Sequence, residues 1–193
     1  YMRDTKNMLC DGMQLPSVYG AQVPRQNIAD MRTRGWELSV AWQDRLAVAG
    51  KLLNYSISAG VSDYTTKVTR YNNPSKLLSK YYVGQTLGEL WGFSVGGFFV
   101  SDEEAANYPV DQSYLNQQII TSVGERGLRA GDVKYLDLDG DNEISIGSNT
   151  VDNPGDQRII GNTLPRYAYN FKLGASWNGV DFSAFFQGIG HQD

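Results

Sequence analysis

The sequence predicts an all-β chain, in which antiparallel strands of a transmembrane β-barrel carry a long extracellular loop insertion. Three observations lead there. Glycine and aromatic residues are abundant, with Gly 21, Tyr 12, Phe 7 and Trp 4 in 193 residues. Several segments alternate apolar and polar residues with the period of two that marks a strand with unlike faces. Short turns join these strands at one end, whereas the stretch between Tyr64 and Pro165 is long and mostly irregular.

The first clear strand is Trp36–Gln43, with Trp36, Leu38, Val40 and Trp42 on one face and Glu37, Ser39, Ala41 and Gln43 on the other. A short connection around Asp44–Lys51 leads to the second, where Leu53, Tyr55, Ile57, Ala59 and Val61 oppose Asn54, Ser56, Ser58, Gly60 and Ser62. The third sets Tyr167, Tyr169, Phe171, Leu173, Ala175 and Trp177 against Ala168, Asn170, Lys172, Gly174 and Ser176. Asn178-Gly179 then supplies the positive-φ pair of a type I′ hairpin turn. In the return strand Val180, Phe182, Ala184 and Phe186 oppose Asp181, Ser183 and Gln187, and Phe185 breaks the pattern.

A soluble sandwich alternates in the same sense, so alternation alone leaves two architectures open. The polar faces favour Ser, Gly, Asn and Ala over long charged residues, and aromatics sit near strand ends as in interfacial girdles. Loop parity favours the barrel. If the Asp44–Lys51 turn is periplasmic, the strand ending near Val61 rises outward and the strand from Tyr167 descends to Asn178-Gly179. The insertion then falls wholly on the outer side, where such barrels carry their long loops. This divides the chain into barrel strands and an outer loop over 1–63, the insertion over 64–165 and a barrel hairpin over 166–193, with no complete domain.

The remaining composition removes other classes. Lys+Arg 17 against Asp+Glu 21 gives a net charge of −4, unlike the basic surface that nucleic acid demands. No apolar run approaches a membrane-spanning helix. The opening residues lack a basic-then-apolar order, so a leader is expected to be absent or already removed. Cys10, the single cysteine, carries no compartment signal. Catalysis is rejected. The only histidine, His191, stands near the chain's end, and no nucleophile elbow, zinc spacing or phosphate-cradling loop appears. Glu103 and Glu104 serve a helix start.

Within the insertion, Ser101-Asp102-Glu103-Glu104 has the form of a capping box, and the helix it opens should stop before Pro109. Asp137, Asp139 and Asp141 place carboxylates at alternate positions, as a calcium loop does, with Asn142 at a left-handed position and Glu143 offering its backbone carbonyl. Ser148 stands where the closing bidentate acid belongs, so calcium is a candidate ion and not a requirement; Asp152 or Asp156 could close the shell. The metal-free alternative is an Asp/Asn/Gly-rich surface turn. Exposed loop aromatics Tyr81, Tyr82, Trp91 and Tyr114 are candidate substrate contacts through their ring faces, the alternative being that they pack the loop against itself.

Four blocks in order resemble SusC/RagA-like TonB-dependent outer-membrane transporters: Asn27–Leu38; Val83–Phe93 with Gly97–Phe99 and Ser101–Glu104; Gly131–Ile144; and Ile160–Asn162 with Pro165–Tyr167 and Asp181–Gly188. The chain departs from the pattern at Ala29, where glycine is usual, and in an added stretch around Gly147–Pro154. The resemblance implies a bacterial outer-membrane location and a late segment of a larger plugged barrel of ~22 strands. Implied partners are a SusD-like surface lipoprotein, TonB through segments absent here, outer-membrane lipid, and a glycan or peptide substrate. The competing expectation is a soluble calcium-dependent binding or adhesion module.

Overall fold

The computed structural model describes residues 1–11, 24–115 and 127–193. Its elements in chain order are β1 (Met2–Asp11), β2 (Arg25–Val48), β3 (Lys51–Arg70), β4 (Glu89–Phe93), β5 (Val95–Phe98), α1 (Asp102–Ala106), β6 (Val133–Tyr135), β7 (Gln157–Asn162), β8 (Arg166–Trp177) and β9 (Val180–His191). The all-β, antiparallel expectation holds. Five strands form one sheet in the order β1-β2-β3-β8-β9, and they do not close on themselves.

The chain divides into two compact units. The first joins residues 1–70, 86–88 and 162–193; the second holds 71–85 and 89–161.

In the first unit the two tight turns lie at one end of the sheet. Ala49 and Gly50, at φ 49° and 76°, make the β2–β3 turn; Asn178 and Gly179, at 51° and 82°, make the β8–β9 turn. Both pairs have the double positive φ of type I′ geometry, whose twist matches that of the strands. The Lys51 ammonium donates to the Asn178 side-chain carbonyl and links them. At the other end β2 and β3 run past the alternating segments. From Met31↔Val68 to Val48↔Lys51 their pairing is unbroken, while β8 partners β3 only from Leu53 to Ser62. Past that point Thr86–Leu87 replaces β8: Leu87 N–H donates to the Thr66 carbonyl at 2.8 Å.

Residues 86–88 and 162–164 form a strap at this end. The Asn162 carboxamide donates to the Leu87 carbonyl at 3.0 Å and accepts from Leu164 N–H at 2.8 Å. Thr163 N–H donates to the Gly88 carbonyl at 2.9 Å. Gly88 has φ +88°, and a Cβ there would lie 2.5 Å from Asn162 Oδ1, so glycine is required for close approach.

The second unit has its own small core. Tyr82, Phe99, Ala105 and Ile144 are buried, and the Phe99 ring meets Tyr108 edge-on at 5.1 Å between centroids. The Ser101 hydroxyl accepts from Glu104 N–H and caps α1. The reciprocal Glu104 bond goes one residue further back than a capping box predicts, to Val100 N–H at 2.7 Å. Its other oxygen accepts from the Lys134 ammonium. α1 ends at Ala106, before Pro109 as expected.

Candidate functional site

The sheet's register aligns its alternating residues into continuous faces. Trp42 pairs with Ile57 and Val40 with Ala59; Ile57 pairs with Leu173 and Ala59 with Phe171; Leu173 pairs with Ala184 and Phe171 with Phe186. Direct partners in an antiparallel ladder share a face, so four strands present one apolar surface. That surface is exposed: Trp42 is 60% accessible, Val40 59% and Phe182 58%.

The opposite face carries Ser39, Ser56, Ser58, Asn170, Lys172 and Ser183. Phe185, the break in the pattern, stands on it as the register partner of Lys172. Several positions here are small because a neighbour lies across them: a Cβ at Gly60 would meet the Asn170 amide at 2.9 Å, and one at Gly174 the Ser56 hydroxyl at 2.6 Å.

Beyond the apolar segment, on the side away from the tight turns, the side chains become ionic. Asp63, the partner of Trp36, is buried and receives both Nε and an Nη of Arg166. Arg32 donates to Asp4 at 2.6 and 3.0 Å. Arg70 donates through Nε and Nη2 to Asp30 at 2.8 and 2.9 Å, and Nη2 also donates to the Asn7 side-chain Oδ1 at 2.8 Å. With Asn7 N–H donating as well, the Asp30 carboxyl is lowered to about 2, Arg70 being the main cause. Asp4 is likewise lowered by Arg32.

In the second unit the calcium-like segment folds into a tight turn. Asp137 accepts from Gly140 N–H at 2.6 Å and Asn142 N–H at 2.9 Å, and Asn142 takes the left-handed conformation, φ 65°. Asp137 and Asp139 come together, with carboxylate oxygens within 4.8 Å of each other and of Asp156. Asp141 and Glu143 stand outside that group: Asp141 accepts from Glu143 N–H at 2.8 Å, and Glu143 bridges Asp111 through its backbone. Asp156, fully buried, accepts from Leu138 N–H at 2.7 Å and Ser145 N–H at 2.8 Å. The backbone N–H groups of Asn142 and Gly140 hold the Asp137 carboxyl below its ordinary range. Loss of solvent, helped by the charges of Asp141, Asp156 and Asp137, pushes Asp139 up. Oxygen-only donors of this kind suit a hard cation such as calcium.

The four candidate aromatics are not equivalent. Tyr81 is 43% accessible and meets Tyr71 edge-on at 5.7 Å. Tyr82 is buried, its hydroxyl donating to Glu89 at 2.6 Å, so its ring has no free face. Burial, helped by Glu89, pushes that phenol up to about 12. Trp91, on β4, and Tyr114 are half-buried.

No family model matches the chain. It is similar to TonB-dependent receptor P39 of Formosa agariphila, 25% identical over 209 residues that cover 96% of this chain and 19% of that protein. TonB-dependent receptor P26 of the same organism is 25% identical over 202 residues, covering 97% and 18%. The solved RagAB peptide transporter superposes with a TM-score of 0.57 at 17% identity, over 96% of this chain and 18% of that one. The RagAB peptide importer in its open-open state gives 0.59 at 16% identity, over 97% and 18%. The chain spans about a fifth of the length of the curated relatives it matches. The resemblance to a segment of SusC/RagA-like TonB-dependent receptors is borne out. Those relatives are receptors, not enzymes, in agreement with the rejection of catalysis.

Proposed function

We propose that this chain is a section of the wall of an outer-membrane, TonB-dependent transporter, with its insertion on the outer side. The observation that carries the reading is the continuous exposed apolar face of β2, β3, β8 and β9, bounded by tight turns at one end and by ion pairs at the other. From Trp36 to Val48 the strand advances roughly 40 Å at ~3.3 Å per residue. At the ~45° tilt of membrane strands that is about 28 Å of depth, close to the ~25 Å apolar band of an outer-membrane barrel.

In this reading the apolar face meets lipid and the Ser/Asn face lines the lumen. The insertion shapes the outer vestibule, where Tyr81, Trp91 and Tyr114 contact an incoming glycan or peptide, and a SusD-like surface lipoprotein covers the mouth. Likeness in fold to the RagAB peptide transporter supports a peptide as readily as a glycan. A calcium ion held by Asp137, Asp139 and Asp156 would brace the insertion; the proximity of the three carboxylates favours this element.

Spin labels on the full-length protein in lipid vesicles test the wall. Labels at Leu38→Cys and Ile57→Cys should be reached by oxygen from the bilayer, and labels at Ser39→Cys and Ser58→Cys by a water-soluble nickel chelate. The reverse pattern, or nickel access at all four, would overturn it.

A further inference from the structure

The lipid-facing side of the sheet does not end in neutral residues. From Trp36 to Met31 the strand is regular, so Arg34 and Arg32 share a face with Trp36. Their cross-strand partners are Thr65 and Lys67, and on the other side Met2 and Asp4. The acids nearby are already engaged: Asp4 by Arg32, Asp63 by Arg166 and Asp30 by Arg70. Arg34 and Lys67 are exposed and make no ion pair among the described residues. Lys6 acts on the same carboxylates, Asp4 and Asp30. A surplus of positive charge therefore stands just beyond the aromatic edge of the apolar face.

Its height follows from strand geometry. Arg34 lies two residues beyond Trp36, roughly 7 Å along the strand, and Arg32 lies four beyond, roughly 13 Å. At a ~45° tilt these become about 5 and 9 Å along the membrane normal, and Lys67, the register partner of Arg32, lies within roughly 3 Å of its height. The polar headgroup layer occupies about 5–8 Å on each side of the hydrocarbon. Long basic side chains reach several ångströms from their backbone, and a guanidinium grips phosphate through paired donors.

We propose that Arg34 and Lys67, with Arg32 beside them, form a docking surface for the phosphates of outer-leaflet lipid, anchoring this part of the wall at a fixed depth. The inference rests on the wall reading, because it needs this face turned to the bilayer. Charge complementarity selects the occupant: exposed cations at headgroup height, adjoining an apolar surface suited to acyl chains, match a phosphorylated lipid.

The test uses the full-length transporter in detergent micelles, mixed with diphosphoryl lipid A, its monophosphoryl form or phosphatidylethanolamine, with bound lipid counted by native mass spectrometry. Wild type should retain diphosphoryl lipid A most strongly. The double variant Arg34→Gln/Lys67→Gln should lose roughly 30-fold in affinity, given the attraction of each basic side chain for anionic lipid. Lys172→Gln, on the opposite face, should retain lipid like wild type. Equal retention by the double variant, or equal retention of phosphatidylethanolamine, would overturn the proposal while leaving the wall intact. Heat-modifiable migration in gels reports the folded barrel separately; a protein that never folds into micelles refutes the wall and this surface together.

Discussion

Ile57 is the position at which the wall reading can be tested most severely. It pairs with Trp42 on one side and Leu173 on the other. Trp42 lies midway between Trp36 and Val48, at about 14 Å from either edge of a band roughly 28 Å deep. An arginine on the lipid face of such a barrel costs about 2–4 kcal/mol at the midplane and about 0–1 near an interface. Ile57→Arg should therefore lower the folded-to-unfolded ratio by roughly 30-fold to 1,000-fold, taking about 1.4 kcal/mol per decade. Leu46, two residues from the end of β2, lies only about 5 Å inside the band edge, so Leu46→Arg should cost ten-fold at most. Ser39 is exposed on the opposite face, and Ser39→Arg should stay within about 0.5 kcal/mol of wild type. Guanidinium unfolding of the full-length protein in phospholipid vesicles, followed by tryptophan emission, gives all three values. A water-soluble sandwich with this face in its core would penalise Leu46 and Ile57 alike. Equal losses at those two positions would refute the depth argument, and a loss at Ser39 matching Ile57 would refute the assignment of faces.

Further outcomes follow from the polar sites. The Asp30 carboxyl is depressed to about 2, so its stabilising contribution is complete above the ordinary carboxylate range near pH 4 and vanishes as pH falls through 2. Asp30→Asn should flatten the acid limb of unfolding between those values, and an unchanged limb would count against the Arg70 pairing. Gly88→Ala should cost about 1–3 kcal/mol, because a positive φ and the Asn162 carboxamide both oppose a side chain. Faster amide exchange at Leu87 and Thr163 is the check. Asp156→Asn would turn an NH2 toward a backbone N–H that now has an acceptor, costing about 1–3 kcal/mol, with exchange at Leu138 and Ser145 rising even without calcium. If calcium braces the insertion, it should protect those amides in wild type and fail to do so in Asp137→Asn/Asp139→Asn. Tyr81→Ala and Trp91→Ala should weaken uptake by the reconstituted transporter, whereas full activity in both would remove the recognition role.

What was legible in the sequence is whatever a period of two encodes. Residues 36–43, 53–62 and 167–177 announce their faces because one side must be apolar along its whole length, and the register confirms that these residues line up across the sheet. Asn178-Gly179 was readable because few residue pairs accept two positive φ values. The same logic explains the silence elsewhere. Met2–Asp11 and the outer parts of β2 and β3 hold their places through ion pairs such as Arg32–Asp4 and Arg70–Asp30, whose partners are 28 and 40 residues apart. No local pattern predicts such pairings. Asp156 joins Asp137 and Asp139 for a similar reason: its burial is set by backbone donors at Leu138 and Ser145, not by spacing within a loop. Tyr82 belongs by sequence with the exposed loop aromatics, yet it is buried and its hydroxyl donates to Glu89 seven residues on. The division has a physical root. A membrane-facing strand repeats one solvent requirement at every second residue and so leaves a periodic trace. A rim or loop satisfies each polar group once, with whichever partner the fold delivers. The segments where function concentrates are thus the ones whose sequence carries least periodic information. For this chain, side chains that discriminate substrate or lipid should be sought where alternation stops: at Phe185, at Arg34 and Lys67, and within 71–161.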